Sequence, residues 1–118
     1  MAEVLSLEVL NELKGFIQDK LPEVVRIYLQ NSEKYVESIQ AGFANGDAIL
    51  IKDSAHPLKS SSGSLGLMAL SLLCKELEHG AEAVSAGQND LKSLEGLVNQ
   101  IEPLFEQSAA QIKAAIES

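Results

Sequence analysis

Apolar residues recur at alternating intervals of three and four along nearly the whole chain, a period that gathers them on one side of a helix and does not suit a half-buried strand. Four marks interrupt it: Lys20-Leu21-Pro22, Asn45-Gly46-Asp47, Leu65-Gly66-Leu67 and Gly87-Gln88-Asn89-Asp90. They divide the chain into five helical segments. The first, about Leu7 to Phe16, carries Leu7, Leu10 and Leu13, with Ile17 continuing the stripe, and is short enough to be a lid across one end. The second begins at Pro22, where a missing N–H costs nothing, and presents Val25, Leu29, Ser32, Val36, Ile39 and Phe43. Gly46 can end it and Asp47 can cap the third.

The third segment repeats Ala48, Ile51, Ala55, Leu58, Ser62 and Leu65, and the fourth Leu70, Leu73, Leu77, Ala81 and Val84. The fifth, capped by Asn89 or Asp90, runs through Leu94, Leu97, Ile101, Leu104, Phe105, Ser108 and Ile112, with Pro103 expected to kink or interrupt it. Short connections between long amphipathic helices imply antiparallel neighbours. The fold expected is all-α: an up-down-up-down four-helix bundle with an additional short N-terminal helix, forming one domain over 1–118. Trp is absent and aromatics reach only 4%, so Leu, Ile, Val and Ala must fill the interior.

A formal charge of −8 disfavours nucleic acid and anionic membrane surfaces and leaves a protein as the expected partner. A single cysteine, Cys74, cannot form an internal disulfide, and no leader pattern or bilayer-length apolar run occurs. The expected compartment is the cytoplasm, with any membrane association left to a parent chain.

The third segment holds the residues that carry chemistry. At about 100° per residue His56 points roughly 140° away from the packing stripe, toward solvent. Lys52 stands one turn before it on the same face, Lys59 and Ser60 one turn after it, and Gly63 two turns after it. A neutral imidazole nitrogen can attack phosphorus, a lysine one turn away can stabilise the charge that results, serine hydroxyls can donate to phosphate oxygens, and small residues leave room for a second protein. Singly, each of these residues reads as ordinary surface. Together they suggest a phosphoryl site within a local cationic patch.

The stretch from Ala55-His56 to Gly66 resembles the signature of the histidine phosphotransfer family: histidine, two variable residues, lysine, glycine, serine, then a leucine-glycine pair. His56, Lys59, Ser61, Leu65 and Gly66 fall in register, as do the Ala44-Asn45-Gly46-Asp47 turn and the Leu73-Cys74 and Leu77-Glu78 pairs, so the likeness spans nearly the whole chain. It implies that His56 is the phosphorylated residue and Lys59 its phosphate-stabilising partner; from their places on the helix, Lys52, Ser60, Ser61 and Gly63 are expected as secondary contacts. The implied partners are receiver domains of response regulators or hybrid sensor kinases, which would bring the acceptor aspartate and Mg2+. This chain would need no cofactor. The docking face should include Ile49, one of the few apolar residues on the His56 side, and exposed parts of the second helix.

Two departures stand inside the motif. Ser60 replaces the usual glycine, and Pro57 predicts a kink or break at the site, leaving the Asp53 carbonyl without its donor. Elsewhere, His79 has no second histidine or cysteine at a zinc-ligand spacing, Cys74 adjoins the Leu73/Leu77 stripe as a small buried hydrophobe, and no Walker-type loop is present. The expectation is a monomeric, non-autonomous phosphoryl carrier, free-standing or part of a hybrid sensor kinase. Two rivals remain at this level: a bundle that binds partners without phosphotransfer, and a purely structural helical bundle.

Overall fold

A computed structural model describes residues 2–117, which form helices and no strand. The elements are α1 (Leu7–Ile17), α2 (Leu21–Ala44), α3 (Ala48–Ser64), α4 (Met68–Ser85) and α5 (Glu95–Glu117), with 3-10 turns at Gln18–Lys20 and Leu91–Leu94. Helix α2 packs on α3, α3 on α4, α4 on α5 and α5 back on α2, closing an antiparallel four-helix bundle about 46 Å long, with α1 against α2 and α3. No helix of the described residues is long and apolar enough to cross a membrane.

The stripes read from the sequence meet in one core. Ile39, Ile51, Leu58, Leu70, Leu77, Ile101 and Ile112 are fully buried there, each contributing about 1.5 to 3 kcal/mol of transfer free energy. Tyr28 enters the same core from α2, where its hydroxyl and the Ser62 hydroxyl share a 2.6 Å hydrogen bond. Leu7 departs from expectation. It opens α1 but is 58% exposed, because only Leu10 of that helix is fully covered by the bundle end.

Three helices stop in the same way. After α3, the Leu67 amide donates to Ser62 O and the Gly66 amide to Gly63 O, and α2 and α4 end with the corresponding pairs at Gly46 and Gly87. Gly66 serves twice: its φ of +84° suits glycine, and a Cβ there would lie 2.7 Å from Ser6 O. That contact belongs to an N-terminal strap. The Ser6 amide donates to Gly66 O and the Ala69 amide to Glu3 O, so the segment before α1 caps the start of α4.

Three sequence expectations need correction. Helix α2 starts at Leu21, one residue before Pro22, which is tolerated because every amide in the first turn lacks a helical acceptor. Leu91–Leu94 forms a 3-10 turn, so Asp90 caps that turn and not α5. Finally, Pro57 and Pro103 break neither helix, since each lies inside one that continues through it. The carbonyls they deprive of a donor belong to Asp53 and Asn99, both exposed, and water can satisfy those oxygens.

Candidate functional site

Helices α3 and α4 run antiparallel from a tight turn, so residues equally far in sequence from Leu67 stand opposite one another. Gly63 faces Ser71 in this register, and His56 faces Glu78. The Asp47 carboxylate starts α3 by accepting from the Leu50 amide at 3.0 Å, and Ile51, Ala55 and Leu58 anchor its inner face. His56 is thereby turned outward, with its side chain 63% exposed.

The imidazole is nevertheless held. Its Nδ1 lies 2.6 Å from Oε2 of Glu78, while Nζ of Lys59 donates to Oε1 of the same carboxylate, also at 2.6 Å. Glu78 is only 14% exposed at its side chain and Lys59 29%, so both contacts are partly shielded from water. The Lys59 ammonium, followed by the His56 ring, holds the Glu78 carboxyl below the usual carboxylate range against the opposing effect of burial. With Nδ1–H donated to the carboxylate, the Nε2 lone pair is the one directed away from it.

Glu78 corrects the picture of a cationic patch, because the Lys59 charge is balanced by an anion in direct contact. Sequence reasoning placed the Leu77-Glu78 pair in the family pattern but assigned the glutamate no role. Two signals pointed to it: a carboxylate beside the apolar Leu73/Leu77 stripe of α4, and its position as far beyond Leu67 as His56 lies before it.

The remaining candidates separate into two groups. Lys52 is half-buried, Ser60 exposed and Ile49 57% exposed, as their positions on α3 required. Ser61 is not brought to His56. Its hydroxyl donates to Pro57 O at 2.9 Å, beside a groove lined by Val24, Ile27, Tyr35, Pro57 and Leu65. Gly63 is turned toward α4, where a Cβ would lie 3.2 Å from Ser71 Oγ. Cys74 is fully buried, with burial raising its thiol to about 12. His79 is exposed, and no group of potential metal ligands forms among the described residues.

The bundle and its outward histidine define a class. The family model of the Hpt domain matches residues 23–117, and the chain belongs to the Hpt domain family, whose members are phosphocarrier modules in histidine phosphotransfer. Among solved structures, the chain is similar to histidine-containing phosphotransfer protein B of Pseudomonas aeruginosa, with a TM-score of 0.83 and 27% sequence identity over 98% of this chain and 96% of that one. No curated protein matches it.

Proposed function

We propose that His56 accepts a phosphoryl group from the aspartyl phosphate of a receiver domain and delivers it to the aspartate of another. The observation that carries this reading is the Glu78 carboxylate, which binds the His56 ring and Lys59 at once. Holding the proton on Nδ1 leaves Nε2 as the nucleophile. Its lone pair forms the N–P bond as the P–O bond to the partner's aspartate breaks, and the aspartate leaves as a carboxylate. Positive charge then develops on the ring against Glu78, while Lys59 stands one turn away to meet the phosphoryl oxygens.

The other groups follow from the same placement. Ser60 has an exposed hydroxyl on the His56 face, and Lys52 adds positive charge one turn earlier. A receiver would dock over Ile49 and over the groove that contains Val24 and Ile27, which are 38% and 44% exposed. Mg2+ belongs to the receiver in this scheme. The unit is taken as one phosphotransfer domain over 1–118, acting as a monomer in the cytoplasm, either free-standing or within a hybrid sensor kinase.

The test is transfer itself. Incubation with a panel of phosphorylated receivers should give an acid-labile, alkali-stable label, located by mass spectrometry and phosphorus NMR at Nε2 of His56. Absence of label with every receiver, or label at another residue, defeats the proposal.

A further inference from the structure

Lys59 is gripped by α4 at two points. Its ammonium meets Glu78, and its backbone carbonyl accepts a second hydrogen bond at 2.9 Å from the hydroxyl of Ser71. Ser71 and Glu78 are seven residues apart on α4, close to two full turns, so they project along one line of that helix. The same hydroxyl lies 3.2 Å from the position a Cβ would take on Gly63, a contact tight enough that a side chain there would push the hydroxyl back by a few tenths of an ångström. The Ser71 side chain therefore touches the α3 backbone directly, with no other side chain between.

From this geometry we infer that Ser71 is a positioning residue: by fixing α4 axially against the Lys59 carbonyl, it places the Glu78 carboxylate where it can bind His56 and Lys59 together. A rise of 1.5 Å per residue explains why such a pin matters. The two bonds at Glu78 are both 2.6 Å long, and sliding α4 by even part of one residue would break at least one of them. Packing alone tolerates that slide better, because apolar contacts are non-directional whereas the Ser71 hydrogen bond is not. Gly63 has a matching role: it lets the pin reach the backbone.

The inference rests on the proposed phosphotransfer role, and its primary readout does not require a partner. The nitrogen-15 shifts of the neutral His56 ring report which nitrogen carries the proton. Wild-type protein should show the Nδ1–H form, and Ser71→Ala should shift the population toward Nε2–H while leaving helicity unchanged. Acceptance from a phosphorylated receiver should slow about five-fold, the equivalent of losing roughly one net hydrogen bond. Ser71→Thr keeps the hydroxyl, and because Ser71 is half-buried the added methyl has solvent to occupy, so both readouts should return to wild type. An unchanged tautomer in Ser71→Ala, or a Thr variant that behaves like the Ala variant, overturns the inference. Should wild-type protein accept no phosphoryl group, the phosphotransfer reading falls and the spectra still decide the role of Ser71.

Discussion

Glu78 sets the behaviour of the residues around it, and two outcomes belong at this scale. Replacing His56 by Gln should abolish phosphoryl acceptance and change stability by only about 0.5 kcal/mol, because the ring is 63% exposed and takes no part in the core. Label uptake and thermal melts check both halves, and a melted bundle would mean that the ring has a structural duty. Glu78→Gln should keep the helices but slow acceptance by roughly 10- to 100-fold, since a charge-assisted contact is worth about 1.5 to 3 kcal/mol. The same variant reports on pH. A carboxyl whose folded pKa lies below its unfolded value stabilises the fold above the unfolded pKa, about 4.3 for glutamate, and loses that contribution as pH falls through the folded value. Wild type should therefore melt above Glu78→Gln at pH 5 to 7, with the gap closing below about pH 4.3.

Among the elements, α3 carries the least expected feature, a helix that stays continuous through Pro57. Proline in a helix interior costs up to about 3 kcal/mol relative to alanine, and here the deprived carbonyl of Asp53 is open to water. Pro57→Ala should accordingly raise stability by about 1 to 3 kcal/mol in denaturant titrations, and a loss of stability would show that the ring packs productively against the α2 groove. The course of α3 also shows how much was legible beforehand. Its stripe of Ala48, Ile51, Ala55, Leu58 and Ser62 is buried as the spacing required, its Asp47 cap is in place, and His56 faces outward. The Glu78 contact was legible only through its spacing from Leu67, because it depends on the axial register between two helices, and periodicity within one helix gives its buried face but not its height against a neighbour. The neighbours of Ser61 and Gly63 were hidden for a related reason. An offset of a few residues on a helical wheel does not reveal that one hydroxyl turns back to Pro57 O and that the other position faces Ser71.

For the molecule as a whole, two titrating groups, Cys74 and Tyr28, lie in the apolar interior. Burial raises both Cys74 and Tyr28 to about 12, from ordinary values of 9.0 and 10.0. An acid whose folded pKa is raised must stay protonated in the fold, so the unfolded chain releases its proton first and stability falls as pH rises above the unfolded pKa. The bundle should thus lose stability progressively from about pH 9 to 12 in denaturant titrations. Cys74→Ala should flatten the first part of that decline, leaving the part due to Tyr28. A thiol reagent should fail to modify Cys74 in the folded protein at neutral pH, and rapid modification would contradict its burial.

The strap that ties Glu3 and Ser6 to the turn between α3 and α4 gives the bundle a built-in clock. Most helical amides are protected by a neighbour one turn away in the same helix. The Ala69 amide has its acceptor far away in sequence, at Glu3 O, as does the Ser6 amide at Gly66 O. In deuterated solvent these two protons should exchange together, at a rate set by how often the strap lifts, and faster than the amides of Ile51 or Leu77 in the core. The isotope pattern at two positions would then time the opening of one end of the molecule while the amides of Ile51 and Leu77 stay closed to exchange.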